Sequence, residues 1–252
     1  MHTPQSCYWS RIRTLAVLTA LGSILASPLA THAEPLFVAT PQINGVPGTL
    51  WRLEDTNGDL DALDPGEKTV FRNIAGIGIL TEDFVDVAAS RSGTVYAVES
   101  DGRGLKLQNL NNAGDAQDAG EAQVFRDHKA QGFRLKSAFS IAVSRVYDLT
   151  TQQLRDVVYV SDPSLQATVK LEDIDGDGQA QGTEGICLYH ESTQDKPLTA
   201  QRMTPDETDR LLAVDPNIQG VLRLFDFNQD CTVIPPTGRD VSRSCFPTNT
   251  LW

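Results

Sequence analysis

The stretch Leu50-Trp51-Arg52-Leu53-Glu54-Asp55-Thr56-Asn57-Gly58-Asp59-Leu60-Asp61-Ala62-Leu63-Asp64-Pro65-Gly66-Glu67-Lys68-Thr69-Val70-Phe71-Arg72 decides how this chain is read, because it recurs. It aligns without a gap on residues 104–126. Leu53 meets Leu107, Asn57 meets Asn111, Asp61 meets Asp115, Asp64 meets Asp118, Gly66-Glu67 meets Gly120-Glu121, and Val70-Phe71-Arg72 meets Val124-Phe125-Arg126. A third copy runs from Val169 through Leu171-Glu172-Asp173-Ile174-Asp175-Gly176-Asp177-Gly178 to Glu184 and Leu188, one residue shorter in the loop. A weaker fourth begins Leu222-Arg223-Leu224-Phe225-Asp226-Phe227-Asn228-Gln229-Asp230. The acidic segments open at residues 55, 109, 173 and 226. A recurrence on that scale marks a repeat architecture, in which one unit cannot bury its apolar face alone.

Each copy follows an apolar run: Leu36-Phe37-Val38-Ala39, Thr94-Val95-Tyr96-Ala97-Val98, Val157-Val158-Tyr159-Val160 and Leu211-Leu212-Ala213-Val214. Rich in β-branched and aromatic residues and bounded by Gly, Asp, Asn and Pro, these runs predict strands. Two copies carry a further run upstream, Phe84-Val85-Asp86-Val87-Ala88 and Phe139-Ser140-Ile141-Ala142-Val143. One unit therefore reads strand, turn, strand, turn, strand, acidic loop, strand. Past residue 33 no segment sustains helical periodicity.

Four strands per unit of about 40 to 50 residues is the pattern of a propeller blade, a small antiparallel sheet packed against neighbouring blades. The expectation is an all-β fold, a β-propeller of about four antiparallel blades over residues 34–252. An open array or a β-sandwich built from the same hairpins is the alternative. The first unit lacks a clear upstream strand, which the tail from Phe246 to Trp252 would supply by closing the ring.

The third loop fits the pattern D-x-[DN]-x-[DN]-G-x₅-E through Asp173, Asp175, Asp177, Gly178 and Glu184. Alternate residues of a tight turn aim carboxylates at one point, Gly permits the bend, and the distal Glu closes an all-oxygen shell suited to Ca²⁺. Loop one offers Asp55, Asn57, Asp59 and Asp61, with Glu67 one position later than in loop three. Loop two has Asn109, Asn111, Asp115, Asp118 and Glu121, but Ala113 stands where Asp59 and Asp177 stand, so weak or no binding is expected there. Loop four has Asp226, Asn228 and Asp230, then Cys231 where Gly is wanted, and no closing acid. Such turns also bond their own backbone without an ion. Repetition at equivalent positions, and repulsion among crowded carboxylates, favour a cation. The expected ligands are thus Asp173, Asp175, Asp177 and Glu184 in loop three and Asp55, Asn57, Asp59, Asp61 and Glu67 in loop one, with Ca²⁺ as cofactor.

The loop pattern resembles the calcium loops of EF-hands, dockerins and integrin alpha-chain propellers. It departs from the first two because Gly185-Ile186-Cys187-Leu188-Tyr189 is strand-like where those loops enter a helix. The phrases Thr94-Val95-Tyr96-Ala97-Val98-Glu99-Ser100-Asp101 and Asp156-Val157-Val158-Tyr159-Val160-Ser161-Asp162 are similar to blades of secreted propellers, including the gluconolactonase and sugar-dehydrogenase-like groups. That resemblance runs over most of residues 36–230, rests on blade framework and includes no family-specific catalytic motif. Folds of this kind host hydrolases, oxidoreductases and binding platforms alike.

Arg11 and Arg13 precede an apolar stretch from Leu15 to Ala26, and Thr31-His32-Ala33 offers small residues for cleavage, which predicts a secretory signal peptide over residues 1–33. A retained anchor is the alternative, although the stretch is short for a membrane span. Cleavage would remove two of the 21 basic residues and none of the 33 acidic ones, taking the net charge from −12 to −14. Such acidity excludes nucleic acid and anionic membranes as partners. In a periplasmic or extracellular setting, three remaining cysteines allow one disulfide, with Cys231 and Cys245 preferred because Cys187 falls in a predicted strand.

Catalytic signatures are missing. Beyond residue 33 the only histidines are His128 and His190, and no G-x-S-x-G, H-E-x-x-H or phosphate loop occurs. Gly76-Ile77-Gly78 reads as a turn, and Trp51 as packing between blades. Two functions remain open. The first is a secreted, monomeric, calcium-binding module with a protein or carbohydrate partner. The alternative is a calcium-dependent, lactonase-like hydrolase at the central channel, with Glu82, Asp83 and Asp86 as candidates.

Overall fold

The computed structural model describes residues 34–42, 44, 48–73, 83–127, 135–148, 151–165, 167–181, 186–191, 202–205, 211–215, 220–224 and 239–242. These residues are all-β and form four antiparallel sheets, one for each sequence repeat. The first sheet holds β1 (Leu36–Thr40), β2 (Thr49–Leu53) and β3 (Lys68–Asn73). The second holds β4 (Phe84–Ala89), β5 (Val95–Glu99), β6 (Gly104–Leu107) and β7 (Ala122–Arg126). The third holds β8 (Ser140–Asp148), β9 (Gln153–Asp162), β10 (Ala167–Glu172) and β11 (Ile186–Glu191). The fourth holds β12 (Arg202–Pro205), β13 (Leu211–Asp215), β14 (Gly220–Leu224) and β15 (Arg239–Ser242). In every sheet consecutive strands are neighbours, so each is an up-and-down meander. Among the described residues no helix is long and apolar enough to cross a membrane.

Pairing register shows how closely the units repeat. Phe37 lies opposite Arg52, Tyr96 opposite Lys106 and Tyr159 opposite Lys170, one step along from the leucines that precede each acidic loop. Among the described residues the first sheet has no counterpart of β4, β8 and β12, and the tail from Phe246 to Trp252, expected to supply it, lies outside them. Its ring pair Phe37–Phe71, with centroids 4.8 Å apart, repeats in the second sheet as Tyr96–Phe125 at 5.1 Å. Both are edge-to-face, the arrangement that aromatic quadrupoles favour. Two strands escaped the sequence reading. β12 is short and ends at Pro205, and β15 pairs only with β14.

The core is divided among the junctions between sheets. Leu50, Phe71, Phe84 and Leu105 fill the first junction, Tyr96, Phe125, Ile141 and Val158 the second, and Tyr159, Met203, Leu211 and Leu224 the third. No sheet therefore has a core of its own, which is the energetic reason for repetition. At these junctions β1 packs on β4, β4 on β8 and β8 on β12. A cavity of about 560 Å³ lies between these strands, lined by Glu34, Arg91, Ile141, Arg145 and Met203 among others. Arg202 Nη1 of β12 reaches Asp86 Oδ1 of β4 at 3.2 Å, an ion pair between the second and fourth sheets.

Candidate metal centre in the acidic loops

The acidic loops join β2 to β3, β6 to β7 and β10 to β11. Loops one and two share one hydrogen-bond frame. In loop one Glu67 Oε1 accepts the Thr56 N–H (2.9 Å) and Oε2 accepts the Asp64 N–H (3.1 Å). In loop two Glu121 Oε1 accepts from Leu110 (2.9 Å) and Asn111 (3.2 Å), and Oε2 from Asp118 (3.0 Å). A side-chain cross-bond repeats as well: Asn57 Nδ2 donates to Asp64 Oδ2, and Asn111 Nδ2 to Asp118 Oδ2, both at 2.5 Å. Both glutamates are buried. A buried carboxylate is stable only if its charge is met by donors, and these loops supply three backbone amides or their equivalent. Burial pushes the Glu121 carboxyl up, but the N–H donors of Asp118, Leu110 and Asn111, helped by the Arg72 charge, outweigh it and hold the group below its ordinary value.

The aspartates sit on Asx-type turns, whose side chains accept backbone N–H groups two to five residues ahead. Asp55 accepts from Gly58 (2.5 Å) and Leu60 (2.9 Å), and its equivalent Asp173 accepts from Gly176 and Gly178, both at 2.9 Å. For Asp55 burial is the largest single influence and raises the carboxyl, but the N–H groups of Gly58, Leu60, Asp59 and Asn57 together outweigh it and hold the group below its ordinary value. Gly178 has φ near +88°, where only glycine is unstrained. An added Cβ there would also collide with the Gln123 amide, whose Nε2 donates to the Gly178 carbonyl at 2.6 Å.

Two triads of carboxylates converge: Asp59, Asp61 and Glu67 in loop one, and Asp173, Asp175 and Asp177 in loop three, each with oxygens within 4.8 Å of one another. Either triad could hold a metal ion. An ionised carboxylate offers about four acceptor sites, so oxygens already accepting one N–H keep capacity for a cation, and an all-oxygen set suits a hard divalent ion. Asp55 and Asn57 stand outside the loop-one triad. Asp55 serves the turn, and Asn57 Oδ1 accepts the Asp59 N–H at 2.9 Å. Glu184, all of loop four, Cys231, Cys245, Glu82 and residues 1–33 lie outside the described residues. Lys106 Nζ stands 4.0 Å from Asp173 Oδ2, a cation at the edge of the loop-three triad.

Sequence reasoning missed a latch formed by these loops. Ala116 of loop two donates its N–H to the Phe71 carbonyl (2.9 Å) and accepts from Arg72 Nη1 (2.5 Å). Ala180 of loop three does the same with Phe125 (2.7 Å) and Arg126 Nη1 (3.1 Å). Each loop thereby clasps the last strand of the preceding sheet. Arg72 and Arg126 are the largest fully buried side chains described. Burial lowers the Arg72 pKa, while Glu121 and Asp115 oppose that shift. The signal was present as Val-Phe-Arg in two copies and as Ala62, Ala116 and Ala180 at one offset in three.

Around β4 no comparable acidic group of three forms among the described residues. Asp83 Oδ1 accepts the Gln42 N–H (3.0 Å), and Asp86 Oδ2 accepts the Ile141 N–H (3.0 Å) while its other oxygen meets Arg202. Between the second and third sheets Asp156 accepts from Ser90 Oγ (2.6 Å), Ser92 Oγ (3.2 Å) and Tyr96 OH (3.2 Å), with Arg145 Nε at 3.5 Å. Burial and then the Asp156 charge push the Tyr96 hydroxyl far up, so it stays a neutral donor. Asp156 is thus an anchor whose lone pairs are already engaged. Trp51 donates Nε1 to Thr40 Oγ1 at 3.3 Å and lies 4.3 Å under the Lys68 ammonium. It faces an open cleft rather than another described sheet.

No known protein family matches the chain, and no curated protein matches it. Among solved structures 40 chains match. One, a protein of unknown function from Bacteroides thetaiotaomicron, is 14% identical over 76% of this chain, with a TM-score of 0.45. This chain spans 42% of that protein's length. Another, a catalytically inactive virginiamycin B lyase from Staphylococcus aureus with quinupristin, is 11% identical, with a TM-score of 0.34 over 76% of this chain and 71% of that one. Neither likeness is strong enough to define a fold or an activity.

Proposed function

We propose that the chain is a secreted, calcium-binding, four-bladed β-propeller that acts as a monomeric binding or structural module for a protein or carbohydrate partner. The observation that carries this reading is the placement of the acidic triads. They lie in loops that join the last two strands of a sheet, and loop three clasps the preceding sheet, whereas Asp83 and Asp86 beside β4 are taken up by backbone amides and an arginine. A Ca²⁺ ion in loop three would offset two of the three carboxylate charges and stiffen the turn that ends at Ala180. Its role would be to hold two blades together. Extracellular modules use such sites at dissociation constants of about 10⁻⁴ to 10⁻³ M.

The test is a thermal melt of residues 34–252 in Ca²⁺ and in chelator, for the wild type and for Asp173→Ala with Asp177→Ala. At a dissociation constant of about 0.1 mM and about 1 mM Ca²⁺, one site adds roughly 1.4 kcal/mol. That is about 3 to 6 °C in melting temperature at this size. A rise of that order that shrinks in the double variant supports the reading. Identical melts with and without Ca²⁺ in the wild type overturn it.

A further inference from the structure

Between the second and third sheets the described residues enclose a cleft of about 440 Å³, within the roughly 300 to 1,000 Å³ of small-molecule sites. The second sheet's side supplies Lys106 and Gln108, the third sheet Arg145, Gln153 and Arg155, and loop three its first turn. Part of this lining is already arranged. The Tyr96 hydroxyl, Ser92 Oγ and Arg145 all meet Asp156 there, so these groups need little reordering when a ligand enters.

The chemistry of the lining selects the ligand. Each of its three cations stands beside an aspartate: Arg145 Nε 3.5 Å from Asp156, Arg155 Nη1 3.3 Å from Asp148, and Lys106 Nζ 4.0 Å from Asp173. Asp175 is the one further charge, so neither sign prevails. A charged ligand would be attracted by one member of each pair and repelled by the other. An apolar ligand would cover these groups without replacing the water they bond, which costs free energy. A neutral ligand that both donates and accepts many hydrogen bonds avoids both penalties. The amides suit it: Gln108 Nε2 donates to Thr94 Oγ1 at 3.3 Å while its Oε1 has no donor among the described residues, and Gln153 is exposed. Leu154 and Ile174, each 52% exposed, set apolar surface beside these polar groups. Hydroxyls around the edge of a ring, with C–H groups on its face, are what a sugar presents.

We propose that this cleft binds a neutral saccharide, whose hydroxyls exchange hydrogen bonds with Gln108 and Gln153 while one face of a ring rests on Leu154 and Ile174. The assignment rests on the binding-module reading above, from which it takes carbohydrate rather than protein as the partner. It needs no ion in loop three, because Lys106 already stands beside Asp173 without one.

The experiment incubates the full chain, in chelator, with an array of neutral oligosaccharides of glucose, galactose, mannose, xylose or N-acetylglucosamine, printed beside sialylated and sulfated ones. The expected result is retention on at least one neutral oligosaccharide. Calorimetry with that compound should then show affinity about tenfold lower in Gln108→Ala with Gln153→Ala, the size of two neutral hydrogen bonds. Should the double variant melt well below the wild type, Gln153→Ala alone decides, because its side chain is exposed, with an expected loss of about threefold. Retention on charged glycans only, retention on none, or equal affinity in the folded variant overturns the proposal. A flat calcium melt would remove the loop-three ion and leave this result standing, whereas a bare array would remove the saccharide and leave the melt standing.

Discussion

In loop one the N–H groups of Thr56 and Asp64 reach Glu67, and in loop two those of Leu110 and Asp118 reach Glu121, yet around these matching frames the surroundings are opposite. Loop one has a carboxylate triad and an open apolar flank. Loop two has Ala113 in place of Asp59, no triad, and a flank buried under the last strand of the first sheet. The difference separates three tasks that the sequence pattern merges. The buried glutamate and the Asn–Asp cross-bond hold the turn, the extra aspartates offer oxygens to an ion, and the alanine backbone docks the neighbouring sheet. Loop two performs the first and third without the second, so an ion is not what shapes these turns.

The strongest way to break this separation is to remove the docking. Arg72→Ala strips a buried guanidinium, leaves the Ala116 carbonyl unpaired and opens a cavity. It is expected to cost about 3 kcal/mol, or about 6 to 12 °C in melting temperature. A fall of less than 2 °C would mean that the clasp contributes little.

Backbone strain is the next lever. Gly178→Ala forces a left-handed residue against Gln123, whereas Gly58→Ala, at φ +83° with nothing within 4 Å, meets strain alone. Urea midpoints should place the first at about 2 kcal/mol and the second at about 1 kcal/mol of destabilisation. Equal losses would argue that Gln123 simply moves aside.

A gain-of-function change sharpens the comparison further. Ala113→Asp restores to loop two the acid that loops one and three possess, at an exposed position. With Ca²⁺ at ten times the dissociation constant it should add about 1.4 kcal/mol, read as an extra Ca²⁺-dependent rise in melting temperature. In chelator the same variant should melt slightly below the wild type, because like charges repel.

The smallest expected effect concerns acid. The Glu121 pKa is lowered in the folded chain relative to its ordinary 4.5, so its contribution is present above that value and is lost as pH falls through the lower folded pKa. Urea midpoints from pH 6 to pH 3 should therefore decline, and Glu121→Gln should flatten that decline. A profile of unchanged slope would show that other carboxylates carry the acid sensitivity.

Much of this was legible in the sequence. The continuous apolar runs located β1, β5, β9 and β13, and the repeated Leu-x-Asp or Leu-x-Asn segments located the turns. Short strands without an apolar alternation were not legible, because β12 and β15 are held by their partners in the sheet. Among the candidate ligands, spacing grouped Asp59 with Asp61 and Asp173 with Asp175 and Asp177, and their carboxylate oxygens lie within 4.8 Å of one another in each loop, since alternate residues of one tight turn point the same way. Glu67, grouped with Asp59 and Asp61, also closes the turn on the backbone amides of Thr56 and Asp64, a second task that spacing does not reveal. Asp55 likewise spends both oxygens on Gly58 and Leu60.

What the sequence by itself determined is the repeat: local propensity, turn chemistry and the choice of acid, amide or glycine at each loop position act within about twenty residues and need no partner. Which loops are buried was decided by tertiary structure alone. Alanine at 62, 116 and 180 has no side-chain chemistry to read, and its carbonyl gains meaning only when a preceding sheet brings an arginine within 3.1 Å, as for Ala180. Contacts made through the backbone, between segments more than forty residues apart, leave almost no mark on composition or spacing.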